Sequence, residues 1–400
     1  MKNITIIGSG VIGVCTAYYL NKKGHSVTVI DRKTMNDFEN CSYGNAGMIV
    51  PSHFIPLAAP GVITKGLKWM LDASSPFYIK PRMNRDLLSW IWQFYRHSTP
   101  NHVKESSEIL HQLNQLSKEL YAEIHSTGIF DFDYRSSGLL MLYKSLACER
   151  EEVEMAKKAS DLGIEVDVLS QHQVADMQGV EMDVRGGVLF PGDAQLNPVD
   201  FMTKLQTYLR LQGVKFMYET NIQEIRIAEN KVTELLTNKG EVFDVDELVI
   251  ATGAWSGEMA KKLSLKLPMQ GGKGYSFNVV NPKQSIKVQS ILCEAKVAVT
   301  PFKESIRFAG TMEINGLSLG QNKRRIQAIE KSIPNYLPSF NMEQIDLSET
   351  WAGLRPCSPD GLPYIGKAKQ ENVWIASGHA MMGMSMGPIS GKLMSQLIDQ

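Results

Sequence analysis

Apolar residues along this chain change their spacing several times, and each change marks an element. Ile4, Ile6 and Ile7 make a short apolar run that ends in Gly8-Ser9-Gly10-Val11-Ile12-Gly13. Val14, Ala17, Tyr18 and Leu20 then take helical spacing until Gly24, and Ser26 to Ile30 read as a strand again. This strand–helix–strand unit delivers Asp31. Two further buried-strand runs, "DELVIATGAWSG" (246–257) and "NVWIASGH" (372–379), end in small-residue loops, and the second leads into a C-terminal helical pattern. "DYRSSGLLMLYKS" (133–145) and "GYSFNVVN" (274–281) read as strands between turns. "LACEREEVEMAKKASDLG" and "VDFMTKLQTYLRLQGV" read as amphipathic helices that end at glycine. The stretch "WAGLRPCSPDGLPYIG" (351–366), dense in Pro and Gly, predicts neither a helix nor a long strand, and holds Arg355 on a stiff join.

The glycines after the first strand each have a physical task. Gly8 permits a tight turn, Gly10 lets backbone approach a pyrophosphate, and Gly13 lets the helix pack on the strand. The helix N-terminus adds free N–H groups and a positive dipole end. Asp31 stands where a carboxylate takes ribose hydroxyls, which favours FAD or NAD over NADP. No second fingerprint follows and the strand–helix alternation stops, so the pattern favours FAD without a pyridine-nucleotide partner.

Bulk properties narrow the class. Four hundred residues predict two domains, and 43% apolar with 21% charged residues is ordinary for a globular protein. Lys+Arg and Asp+Glu balance at 42 each, which argues against nucleic-acid binding as the main function. Five scattered cysteines without a CxxC pair fit a reducing compartment, and neither they nor the histidines show metal-ligand spacing. No leader pattern or membrane-spanning run is apparent, so the expected location is cytoplasmic, with peripheral attachment to the inner membrane left open. The segment 54–97 mixes Trp69, Trp90 and Trp92 with Lys65, Lys68, Lys80, Arg82, Arg85 and Arg96. That mixture suits either a surface meeting lipid headgroups or a partner, or the core of a domain.

These landmarks, with Ser42-Tyr43-Gly44-Asn45-Ala46-Gly47, Ala58-Ala59-Pro60-Gly61, Ala251-Thr252-Gly253-Ala254-Trp255-Ser256, Lys273-Gly274-Tyr275-Ser276, Gly353-Leu354-Arg355-Pro356 and Gly378-His379 ahead of Gly383, span the chain in a characteristic order. In them the sequence resembles the D-amino acid oxidase superfamily of FAD-dependent oxidoreductases, nearest its bacterial D-amino acid dehydrogenase branch. The resemblance implies an α/β (overall α+β) fold. A Rossmann-like FAD-binding domain would use residues 1–50, 150–265 and 345–400. A substrate domain with a mixed or antiparallel sheet would use 51–149 and 266–344.

It further implies FAD-dependent oxidative deamination of a D-amino acid, D-proline or a hydroxyproline isomer among the candidates. Hydride would pass from Cα to flavin N5, and the imine would hydrolyse to a keto acid. Arg355 would clamp the substrate carboxylate through two parallel hydrogen bonds. Tyr275 and His379 join it as candidate site residues, although core packing for one and a hydrogen-bonding fixture for the other remain open. Expected cofactor contacts are Gly8, Gly10, Val11, Ile12, Gly13, Asp31 and Arg32 near the adenosine and phosphates. Ser42, Asn45, Ala46, Gly47, Ile222, Ala251, Thr252, Gly253 and Trp255 follow. Gly378, Met382, Gly383 and Met384 would lie at the ring, with a helix from about Met384 aiming N–H groups at it and the methionines serving as flexible packing. His53 could line the site, carry a covalent flavin link or sit on the surface. A glycine or sarcosine oxidase using oxygen and a flavoprotein with structural FAD are the alternatives. The acceptor implied by the dehydrogenases is a quinone or electron-transfer partner at a membrane surface.

Overall fold

The computed structural model describes residues 1–35, 37, 40–62, 75–82 and 84–400. The opening unit forms as expected: strand Asn3–Ile7, helix Val11–Lys22 and strand Ser26–Ile30. It seeds a six-stranded sheet whose order is 215–217, 26–30, 3–7, 247–250, 373–377, 364–367. The first five of these run parallel and the last is antiparallel. Side chains alternate along each strand, so one sheet has two different faces. Ile4, Ile6, Val27 and Val29 pack toward helices Val11–Lys22, Pro198–Leu211 and Gly387–Ile398. Ile7, Ile30, Leu248 and Ile250 pack instead on Ile222, Val232 and Leu235 of a three-stranded antiparallel sheet, 222–228/231–237/242–244.

A second, nine-stranded sheet runs in the order 351–357, 270–280, 305–314, 297–301, 290–292, 139–143, 186–190, 167–170, with 77–79 pairing beside 305–314. It is mixed but mostly antiparallel. A small antiparallel sheet has the order 48–49, 194–196, 134–135.

One expectation changes here. Residues 351–357 are a regular strand, not an irregular join. Pro356 is tolerated because this is an edge strand, where the missing N–H breaks no ladder on the free side. Strands 167–170 and 186–190 pair into the nine-stranded sheet. Conversely, helix Pro100–Ser126 inserts Leu110, Leu120, Tyr121 and Ile124 into the core of the parallel sheet's helical layer. Local pattern reports which residues an element buries, and not against which sheet.

Among the described residues no helix is long and apolar enough to cross a membrane. Trp69, Lys65 and Lys68 lie outside the described residues. The rest of the aromatic–cationic segment divides. Trp90 is core and donates its indole N–H to the Cys357 carbonyl (2.9 Å), whereas Leu88, Ile91, Trp92 and Tyr95 of helix Arg85–His97 are exposed.

Candidate active site

The glycine turn is shaped first by the protein itself. Gly8 has φ +110°, and a Cβ there would run into the Ala251 carbonyl; a Cβ on Gly13 would run into the Gly8 carbonyl. Both close approaches hold the turn and helix against the ends of the central strands. Gly10 differs, because its nearest neighbours would be ordinary contacts at 3.6 Å or more. Its bareness serves the cavity it lines rather than any packing within the chain. Asp31 accepts from the Ser9 N–H (2.7 Å) and Ser9 hydroxyl (2.8 Å) on one oxygen and from the Lys33 N–H (2.9 Å) on the other. The acid thus braces the turn as well as facing the cavity. Ser42 Oγ accepts from Val11 N–H (2.9 Å), which seats the helix start on the next loop. At the same end Arg32 stacks over Trp255, 4.1 Å from the ring centroid, while Val11, Ile12, Ile222, Ala251, Thr252 and Gly253 complete the walls.

The loop 43–47 spans the middle of the site. Gly47 (φ +78°) turns beneath the Leu196 carbonyl, and Asn45 Oδ1 accepts from Gly47 N–H (2.8 Å). Asn45 and Ala46 line the cavity, whereas Gly47 and Gly13 stand behind its wall. Arg307, from the nine-stranded sheet, donates to the carbonyls of Tyr43 (2.8 Å) and Asn45 (2.6 Å) and to Asn278 Oδ1 (2.9 Å). Burial holds its pKa down to about 10, still a cation at neutral pH. Sequence reasoning passed over Arg307; its only signal was a lone cation within the apolar alternation of "SIRFAG". Trp351 was also missed. Cβ atoms on Gly44 or Gly353 would collide with its indole, so those glycines make room for that ring.

Arg355 lies in the cavity wall, reached from the edge strand 351–357. Its Nη1 donates to the Thr311 carbonyl (2.7 Å), and among the described residues no carboxylate is paired with it. The guanidinium crosses the neighbouring strand where Gly274 has no side chain; a Cβ there would strike it. Burial lowers its pKa, with the thiols of Cys41 and Cys357 acting the other way. A half-buried guanidinium with donors to spare, open to a cavity, has the chemistry of an anion clamp. Tyr275 also touches the cavity, but its hydroxyl is committed elsewhere. It donates to Glu313 (2.5 Å) and accepts from Asn322 N–H (3.1 Å), inside a buried cluster with Lys273 and Arg325. This arrangement gives Tyr275 a packing and anchoring position.

The last wall comes from the C-terminal segment. His379 is buried, its Nε2 is 2.8 Å from Ser390 Oγ and its Nδ1 has no partner among the described residues. Burial drops its pKa to about 3, so the ring is neutral. Gly378 (φ +83°) makes the turn behind it, outside the cavity lining. The helix begins at Gly387, not near Met384; a single 3₁₀ turn, Ala380–Met382, intervenes. Met382, Gly383 and Met384 line the cavity. The Met384 carbonyl is held by Tyr121 (2.6 Å), and Ser385 Oγ donates to Asn114 (2.6 Å), both from the helix 100–126. His53, for which a surface position was one of the alternatives, lies in the cavity wall. Cysteine spacing showed no metal site, yet the fold brings ligand atoms of Cys148, Glu152 and Cys293 within 4.8 Å of one another, away from the cavity lining.

The cavity is about 750 Å³ and joins all these parts, from Asp31, Arg32 and Trp255 through the glycine turn to Arg355 and His379. Its walls combine an acid, a ring, bare backbone and a cation, the donor set for a dinucleotide and an anionic substrate.

The fold and this elongated site define a dinucleotide-binding oxidoreductase. The pattern describing FAD dependent oxidoreductases matches residues 3–397, and the chain belongs to that family. It is 32% identical to a D-amino acid dehydrogenase of Allorhizobium ampelinum across 99% of this chain and 94% of that protein. A D-amino acid dehydrogenase of Methylobacterium nodulans is 29% identical with the same coverage. Among solved structures, glycine oxidase from Geobacillus kaustophilus superposes with a TM-score of 0.78 at 20% identity, covering 100% of this chain and 95% of that one. L-proline dehydrogenase from P. horikoshii gives 0.73 at 20% identity, covering 99% and 93%. At these identities the structures share the fold. The protein is an FAD-dependent oxidoreductase acting on amine or amino-acid substrates.

Proposed function

We propose that this chain dehydrogenates a D-amino acid, with a cyclic secondary amine such as D-proline or a hydroxyproline isomer as a leading substrate class. The observation that carries the reading is Arg355: a cavity-wall guanidinium without a carboxylate partner among the described residues, supported by Thr311 and by bare Gly274. It binds the substrate carboxylate and fixes Cα relative to the ring. When bound, FAD supplies the hydride acceptor. Gly8, Gly10 and Gly13 shape its phosphate turn, Asp31 meets the ribose, and Asn45, Ala46, Met382, Gly383 and Met384 surround the ring. His379 stays neutral and orients the turn rather than exchanging protons. Tyr275 anchors the sheet. The domain division that accompanies this reading keeps 1–50 and 345–400 with FAD but moves strands 167–170 and 186–190 to the substrate side and helix 100–126 to the FAD side.

A quinone-type acceptor at a membrane surface belongs to the proposal. The exposed Leu88, Ile91, Trp92 and Tyr95, flanked by Arg85 and Arg96, support it. Anaerobic flavin bleaching with a panel of D-, L- and N-alkyl amino acids tests the substrate class. D-Proline-type compounds are expected to bleach the flavin fastest. Preference for glycine or sarcosine, with rapid reoxidation by oxygen and none by a quinone analogue, would replace the reading with an oxidase. Bleaching by no amino acid would end it.

A further inference from the structure

We propose that His53, Ser52 and Asp193 form a proton relay that takes the ammonium proton from the bound amino acid into the protein. The inference rests on the function proposed above and adds a route for one proton. Oxidation of a carbon–nitrogen bond needs the nitrogen lone pair, yet an amino acid in neutral water carries an ammonium group. Arg355 is already a cation, and the hydrogen bonds of neutral His379 run through Ser390 to the Met386 carbonyl, which cannot store a proton, so neither offers an outlet.

The geometry runs inward from the cavity. His53 lines the same cavity as Arg355, and the Lys296 charge in that lining acts on it. Its Nδ1 is 3.2 Å from Ser52 Oγ, and Ser52 Oγ is 2.5 Å from Asp193 Oδ2. Asp193 also accepts from Ser52 N–H (3.1 Å), is 1% exposed and has no ion-pair partner among the described residues. A hydroxyl has one proton to donate. If Ser52 gives it to the carboxylate, Ser52 must accept from His53 Nδ1–H. That assigns the tautomer and leaves the Nε2 lone pair free, with no hydrogen bond to a described residue.

The order of proton affinities supports the direction. Burial, and then the charge of Lys296, hold the His53 pKa down to about 4, so the ring is a neutral acceptor. Burial lifts Asp193 to about 7, against opposing hydrogen bonds from Ser52 and the charge of Lys118 on helix 100–126. His111, on the same helix, is engaged with the Pro51 carbonyl (3.0 Å). A proton reaching His53 Nε2 releases the Nδ1 proton to Ser52 Oγ, which releases its own to Asp193. One proton enters, one is stored, and no other bond changes. The His–Ser–Asp chain thereby couples a weak acceptor at the cavity to a stronger one beneath it.

The test follows anaerobic flavin reduction against pH in the FAD-loaded wild type and in Asp193→Asn, Ser52→Ala and His53→Phe. The wild type should show an acid limb near pH 7. In the variants the limb should move toward the pKa of the free amine, with a loss of roughly 10²-fold at neutral pH that shrinks as pH rises. Infrared difference spectra without amino acid should show a protonated-carboxyl band titrating near pH 7 and absent in Asp193→Asn. Losses equal at all pH values would reduce Asp193 to a brace for the 50–53 turn and overturn the relay. So would an Asp193 already ionised at pH 5. If no amino acid reduces the wild-type flavin while the carboxyl band still titrates, the substrate reading fails and the buried proton store stands.

Discussion

The two large sheets meet the same cavity in different ways. The six-stranded, mostly parallel sheet presents backbone: a glycine turn, an N–H-braced acid and small-residue loops at the carboxyl ends of its strands. The nine-stranded sheet presents side chains: Arg355 across Gly274, Arg307 reaching the 43–45 carbonyls, and Tyr275 tied to Glu313. The first is a site made by where side chains are missing. The second is made by where long ones are aimed, and it depends on pairings between residues far apart in sequence.

That contrast can be broken most severely on the backbone side. Gly13→Val puts branched carbon into the Gly8 carbonyl, an overpacking cost of about 3 kcal/mol or more in a place where nothing can retreat. The expected result is loss of bound flavin absorbance and of soluble protein. On the side-chain side, Arg355→Leu should keep FAD and lower kcat/KM by about 150-fold, equivalent to about 3 kcal/mol, chiefly through KM. Flavin lost together with substrate affinity would show that the two sides are not separable. Gly274→Ala sharpens the comparison, since it leaves the arginine in place and displaces only its guanidinium. A rise in KM of roughly 10-fold with unchanged FAD content is expected. Arg307→Met should loosen the 43–45 loop and weaken FAD binding by about 5- to 10-fold, which equilibrium flavin titration would measure.

The last effect is a slope with pH. Asp193 is raised in the folded state to about 7 from an ordinary 3.8, so the folded protein holds a proton that the unfolded chain releases. Its contribution to stability is present below about pH 4, declines as pH rises toward 7 and is flat above. Asp193→Asn removes the slope, and relative to wild type its advantage should grow from pH 5 to pH 8, on the order of 2 to 4 kcal/mol, in denaturant melts.

The same contrast explains what the sequence disclosed. The βαβ unit, Asp31 and the strand-ending loops at 251–256 and 378–384 were legible because each rests on local constraints: a positive φ, a close approach, a helix start. Arg355 was legible through its motif, although the strand that carries it was not, because a proline suggested disruption and only sheet order reveals an edge. Arg307 and Trp351 act on residues hundreds of positions away, and no period encodes that. His53 and Asp193 stand 140 positions apart and are joined through one serine hydroxyl. That helix 100–126 packs on the first sheet's helical layer while strands 167–170 and 186–190 join the other sheet has the same origin, since amphipathicity names a buried face but not its partner.

Strand order also has a consequence for the order of assembly. The central strand 3–7 lies between 26–30 and 247–250, and 373–377 completes the parallel set. The glycine turn follows 3–7 directly, yet the walls at 376–384 come from a segment far away in sequence. Capture of flavin therefore waits on long-range strand pairing: a polypeptide without residues 373–384 would retain every residue of the glycine turn and still fail to hold the cofactor.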